Sequence, residues 1–233
     1  MKFNCFLLLS LLFTQFAQAQ SAEYSIQLNS GLFSYMGSGA EAKTSINYVV
    51  EKETGYTNNP YGSQLAPGIG ISLSANRITA SKFRIGIEAG YEYMQSRIEI
   101  ENVFTSNSIS ANGSSYFIHH FLQATPKIGY RIPIKNMFLD IDAVFEFAMI
   151  QKRYDKADVE GEDGKTYSIK RDRDDDIMDQ RPGLRISVNY KMYNFYLGYS
   201  QGIKNFHEGM LCGGNKTVYS RIIRFGLGYR LNN

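Results

Sequence analysis

The sequence predicts an all-β fold: an eight-stranded antiparallel up-and-down transmembrane β-barrel with short periplasmic turns and long extracellular hairpin loops. Three observations carry that prediction. The last stretch, Arg224-Phe225-Gly226-Leu227-Gly228-Tyr229-Arg230-Leu231, sets Phe225, Leu227, Tyr229 and Leu231 on one face of a strand and Arg224, Gly226, Gly228 and Arg230 on the other. Apolar residues outward and charge inward suit a strand with lipid on one side and a polar lumen on the other. About eight such alternating segments run along the chain, and the connections between them alternate short and long, the pattern of outer-membrane barrels.

In order, the first strand covers residues 24–35 and the second 65–78, where Ile69, Ile71, Leu73 and Ala75 oppose Gly70, Ser72, Ser74 and Asn76. The third is the clearest, with Phe83, Ile85, Ile87, Ala89, Tyr91 and Tyr93 against Arg84, Gly86, Glu88, Gly90 and Glu92. The fourth places Tyr116, Ile118, His120, Leu122, Ala124, Ile128 and Tyr130 outward, opposite Phe117, His119, Phe121, Gln123, Thr125, Lys127 and Arg131. In the fifth, Leu139, Ile141, Ala143, Phe145 and Phe147 oppose Asp140, Asp142, Val144 and Glu146. The sixth turns Arg185, Ser187, Asn189 and Lys191 inward and the seventh Tyr196, Gly198 and Ser200, and both lead into the closing strand.

Tight turns fall at 79–82, 133–136 and 191–194, and long polar connections at 37–64, 103–115, 154–180 and 204–217. Two of the long connections contain Asn112-Gly113 and Asp163-Gly164, dipeptides favoured in two-residue hairpin turns. Alternation continues on their flanks, at Arg97-Ile98-Glu99-Ile100-Glu101 and Tyr167-Ser168-Ile169-Lys170. Strand pairs three–four and five–six are therefore expected to run past the lipid as protruding hairpins with unpaired edges. Outward aromatics near strand ends form two expected girdles: Phe83, Tyr130, Tyr190, Phe195 and Tyr229 on the turn side, Tyr91, Tyr93, Tyr116 and Phe147 toward the loops.

The N-terminus reads Met1-Lys2-Phe3-Asn4, an apolar run over 5–16, then Ala17-Gln18-Ala19. This is the form of a cleaved signal peptide over residues 1–19, leaving 20–233 as one barrel domain. The run is shorter than the ~20 residues a spanning helix needs. Removing Lys2 leaves 25 − 1 = 24 basic residues against 22 acidic ones, a net charge too small to argue for nucleic acid. With Cys5 in the leader, Cys212 is the only remaining cysteine, so no intrachain disulfide staples the fold.

The most chemical-looking set is the inward-facing charges: Arg84, Glu88, Glu92, Lys127, Arg131, Asp140, Asp142, Glu146, Arg185 and Arg224, with Lys191 and Arg230 beside them. Centring the fourth–fifth turn between Ile134 and Lys135 sets Lys127 beside Asp142 and Arg131 diagonal to Asp140. An eight-stranded barrel has a bore just wide enough for side chains, and buried charge must be paired. A salt-bridged plug, a narrow ion path and catalysis are the three readings, in that order. His119-His120 sit on opposite faces of a strand and cannot share a metal. His120 has Leu122 rather than a serine two residues on, so a lipid-modifying serine hydrolase lacks support. Asp158-Val159-Glu160-Gly161-Glu162-Asp163-Gly164 departs from a calcium loop in its glycine position and lacks the closing Glu. No catalytic residue, cofactor or metal is expected.

The chain resembles a small outer-membrane β-barrel protein of the Bacteroidota, the PorT-like "outer membrane protein beta-barrel domain" family. The likeness rests on Ala17-Gln18-Ala19-Gln20, on Arg84-Ile85-Gly86-Ile87-Glu88-Ala89-Gly90-Tyr91 and on Phe225-Gly226-Leu227-Gly228-Tyr229-Arg230-Leu231. It implies residence in the bacterial outer membrane among its lipids, and insertion by the outer-membrane assembly machinery through the last strand, with Phe225, Gly226, Leu227, Tyr229 and Leu231 as the assembly signal. It implies no single activity, since members are mostly structural and some are linked to protein secretion. The chain ends on Leu231-Asn232-Asn233 instead of an aromatic residue, which shifts the expected signal onto Tyr229 and Leu231. The expectation is a non-enzymatic barrel with a charge-plugged lumen whose extracellular hairpins contact an envelope or surface protein; a narrow solute pore, an accessory of secretion and a lipid-modifying barrel are the alternatives.

Overall fold

Alternation at period two extends well beyond the segments that lipid would cover, and the strands are correspondingly long. The computed structural model describes residues 19–173, 178–208 and 215–232. Eight strands form a ring: β1 (Ala19–Met36), β4 (Gln64–Thr79), β5 (Phe83–Phe104), β6 (Ser108–Ile134), β7 (Met137–Gly161), β9 (Met178–Tyr190), β10 (Tyr193–Gln201) and β11 (Tyr219–Arg230). Each pairs antiparallel with the next, and β11 returns to β1 in a continuous ladder from Ser25↔Arg230 to Met36↔Tyr219. Closure leaves this part of the sheet without an edge, the condition for crossing a bilayer with strands. Among the described residues no helix is long and apolar enough to cross a membrane. Of the expected signal peptide, residues 1–18 lie outside the described residues, and Ala19 opens β1.

The side chains are arranged inside out relative to a water-soluble protein. Leu73 and Leu184 are 62% and 65% exposed on the outer wall, whereas Glu88, Glu92 and Asp140 are fully buried in the bore. From Phe83 to Tyr93 on β5 is ten residue-to-residue steps, or ~33 Å of strand at ~3.3 Å each. At the ~40° tilt of such barrels this is ~25 Å of height, the thickness of an outer-membrane apolar band. The turn-side girdle is exposed at Phe83, Tyr130, Tyr190, Phe195 and Tyr229, with Phe83 and Tyr130 edge-to-face at 5.6 Å and Tyr193 and Tyr229 at 5.7 Å. On the loop side Tyr91 and Phe147 are exposed and Tyr93 and Tyr116 half-buried.

The three tight turns each carry a lysine at positive φ: Lys82 (70°), Lys135 (49°) and Lys191 (54°). Their positions correct the expected register between β6 and β7. The turn is Lys135-Asn136, so Arg131 stands directly opposite Asp140 and Lys127 opposite Val144, with Asp142 facing Gly129. Centring the turn one residue later moves every cross-strand pair by two. Lys191 is exposed at its turn over the Tyr190 ring, not in the bore.

Above the ring, the extended halves of β5, β6 and β7 are joined by β2 (Lys43–Val49), β3 (Thr54–Thr57) and β8 (Thr166–Asp172). β2 pairs parallel to β5 and antiparallel to β3, and β8 pairs with β7. The Asp163-Gly164 hairpin forms as expected, with Gly164 at φ +75°. Asn112-Gly113 does not turn: both lie inside β6, opposite Glu160 and Val159, and the chain reverses instead at 105–107. Pairing to two neighbours along β6 overrides the local turn preference.

Candidate functional site

The bore is filled from the turn end upward by layers of paired charge. At the base, Arg131 forks two carboxylates: its Nη1 and Nη2 donate to Glu23 at 2.7 and 2.9 Å, and its Nε and Nη2 to Asp140 at 2.7 and 2.8 Å. Arg230 also reaches Glu23, at 2.9 Å. Above it, Arg84 bridges Asp142 (2.5 Å) and Asp140 (3.1 Å). Next, Glu88 accepts from Arg185 at 2.5 Å and Ser72 at 2.9 Å, with Lys127 at 3.7 Å. Higher again, Arg224 grips Glu92 through two bonds of 2.9 and 2.8 Å and also bonds Glu146. The uppermost pair is Arg181 with Asp179, 2.6 Å apart. Seven acids (Glu23, Glu88, Glu92, Asp140, Asp142, Glu146, Asp179) meet seven bases (Arg84, Lys127, Arg131, Arg181, Arg185, Arg224, Arg230) in this network, so the plug is neutral. A cavity of about 20 Å³ lies among the lower layers, room for about one water.

The upper bore is aromatic. Phe33, Tyr35, Phe117 and Phe121 point inward from the ring and Tyr61 and Phe206 reach in from loops, all buried in one cluster. His119 sits among them, its Nε2 2.8 Å from the Tyr35 hydroxyl and its ring stacked on Phe121. Arg181 caps the cluster from below with its guanidinium 4.6 Å from the Phe121 centroid. The inward positions of Phe117 and Phe121 already signalled this in the sequence; the loop-borne Tyr61 and Phe206 gave no local sign. His120 faces outward, bonded to Tyr91 and packed beside Tyr93 and Tyr154.

The head has a core of its own: Ile46, Ile100, Val103, Ala157, Val159, Tyr167 and Ile169. Its edges, β3 and β8, do not stand apart as the unpaired edges expected of protruding hairpins. They face each other, and the Thr57 N–H donates to Asp155 at 2.9 Å while its carbonyl accepts from Arg173 at 2.9 Å. Arg171 lies 4.9 Å over the Tyr56 ring, so polar side chains seal the seam where a ladder would otherwise be exposed. At the hairpin tip, the Tyr167 hydroxyl donates to Asp163 at 2.7 Å and holds that carboxyl below its ordinary range. Burial, with Lys216 adding to it, pushes His207 below the usual histidine value.

All ten expected lumen charges line this plug. Sequence reading missed Glu23, Asp179 and Arg181, which stand just beyond the segments where outward residues are continuously apolar. Of the expected assembly residues, Phe225, Leu227, Tyr229 and Leu231 are exposed on the outer wall. Gly226 points inward, where a Cβ would lie 2.7 Å from the Tyr196 hydroxyl, and that hydroxyl donates to Asn29 at 2.5 Å. Cys212 lies outside the described residues.

No protein-family profile matches the chain, and no curated protein does. Among solved structures it is similar to Ail, the attachment invasion locus protein of Yersinia pestis, in complex with the heparin analogue sucrose octasulfate: 13% identity and a TM-score of 0.36 over 91% of this chain and 100% of that one. A second structure of Ail aligns at 12% identity, TM-score 0.36 and the same coverage. Neisserial surface protein A aligns at 12% identity and a TM-score of 0.37 over 90% and 99%. The eight-stranded barrel assignment rests on the ring of strand pairings described above.

Proposed function

We propose that this chain is a non-enzymatic protein of the bacterial outer membrane, of the PorT-like kind its sequence resembles, whose barrel is a closed anchor and whose head holds an envelope or surface protein. The carrying observation is the division of the molecule into two parts. The bore is filled by a neutral ion-pair network topped by an aromatic cluster, with space for about one water among the lower charges. The head carries the exposed polar surface and a separate core. A plugged bore supports anchoring over transport, and fold alone assigns no activity.

Crosslinking of intact cells, followed by identification of what co-purifies, tests the partner. Deleting 158–174 should leave a heat-modifiable, folded barrel and abolish the crosslinks; an unchanged set of crosslinked proteins overturns the head-binding reading. In planar bilayers the purified protein should give no steady conductance. Conductance that disappears on Glu88→Ala would instead favour a narrow ion path.

A further inference from the structure

Between the aromatic cluster and the head sheet lies a chamber of about 610 Å³, within the ~300–1,000 Å³ of small-molecule sites. Phe117 and Tyr61 form its aromatic floor. One wall is a pair of arginines held side by side, because the Arg173 N–H donates to the Arg153 carbonyl at 3.0 Å. Arg153 is buried with its guanidinium 5.9 Å from the Phe117 centroid, and Arg173 is fixed from behind by Asp155 at 2.8 Å. Other lining residues are preset by their own hydrogen bonds: Asn58 donates to Ser45 at 2.9 Å, and Asn59 to the Gly39 carbonyl at 2.9 Å. Of the charged lining, Glu41 is engaged by Lys216 at 3.3 Å, Glu101 by Lys43 at 2.7 Å, and Arg173 by Asp155 and by the Thr57 carbonyl at 2.9 Å.

We propose that this chamber binds an acidic saccharide unit, a carboxylated sugar that is free or terminal on a glycan. The aromatic floor offers a surface for the C–H face of a sugar ring, the amides and hydroxyls offer partners for its hydroxyls, and the arginine pair offers the planar donors that suit a carboxylate. The inference rests on the reading of the head as the outward working surface. It differs from that reading in naming a small ligand rather than a protein.

The test is calorimetric titration of the whole protein in lipid nanodiscs with a glucuronic acid–terminated disaccharide, its neutral glucose-terminated counterpart, and sodium sulfate. The acidic sugar should bind, the neutral one about tenfold or more weakly, and sulfate not measurably in the same range. Arg153→Met should weaken binding about 10–100-fold, the loss expected for a charged hydrogen-bonding partner. Asn102→Phe, which fills the chamber, should abolish it, and Lys216→Ala at the exposed rim should weaken it several-fold even if Arg153→Met fails to fold. Equal binding of the neutral sugar, or of sulfate alone, overturns the proposal, as does an absence of saccharide binding or wild-type affinity in all three variants. Those outcomes leave the crosslinking result untouched, so the two readings fail separately.

Discussion

Replacing Arg224 by Met should destabilise the barrel by about 3–5 kcal/mol, the cost of leaving buried charge without its partner. Among the described residues Arg224 is the only base bonded to Glu92, through contacts of 2.9 and 2.8 Å, and it also bonds Glu146. Glu146 keeps Ser200 at 2.7 Å and Arg181 at 3.6 Å after the substitution, so the cost falls chiefly on Glu92. Removing both partners, as Arg224→Met with Glu92→Met, eliminates the stranded carboxylate, and the double variant should recover most of the loss. Urea unfolding in liposomes, followed by the heat-modifiable gel shift, measures all three proteins. A single variant within about 1 kcal/mol of the parent, or a double variant no better than the single, would show that the layers are wet and individually dispensable, and would refute the plug as described.

Gly226→Ala should cost about 1–3 kcal/mol through overpacking, since the added Cβ would lie 2.7 Å from the Tyr196 hydroxyl; Tyr196→Ala should relieve it. Impaired insertion in cells with unchanged stability after refolding would assign Gly226 to the assembly signal instead. Ile169→Ala, in the head core, should cost about 2–5 kcal/mol and open the head to protease while the barrel stays heat-modifiable; simultaneous loss of both would mean one cooperative unit. Asp163 is held below the ordinary carboxylate value by Tyr167, so its contribution to the hairpin tip is present above the ordinary aspartate value of 3.8 and lost as pH falls through the lower folded value. An NMR titration of Asp163 at or above 3.8 would contradict the bond.

What the sequence made legible, and what it did not, follows from where lipid ends. Inside the apolar band every outward residue must be hydrophobic, so strands such as 83–93 announce both faces, and the ten lumen charges could be named from parity alone. Above the band the outer face meets water, so on β6 and β7 the outward residues are no longer apolar although the alternation of burial continues into the head. That is why Asn112-Gly113 read as a turn although it sits mid-strand, and why β2 and β3 were invisible in a polar connection: β2 pairs with β5 at a separation of 56 to 57 residues, as from Lys43 to Glu99, and β3 pairs with β2. The loop-borne part of the aromatic cluster escaped for a related reason: Tyr61 and Phe206 enter it from loops, where no periodicity marks the side a residue faces.

That geometry also bears on where function can reside. A ring of eight strands fixes a bore that side chains fill, and here arginine forks and aromatic rings occupy it from Glu23 at the base to Tyr61 at the top. Rigidity there serves the head: β5, β6 and β7 run unbroken from membrane wall to head sheet, so the chamber wall at Arg153 stands on the same strand as Asp140 and Asp142. A site built on such strands is held more tightly than one on loops. Shortening the head while leaving the plug intact should therefore remove binding without loosening the barrel, whereas disrupting the plug at Arg224 should loosen both.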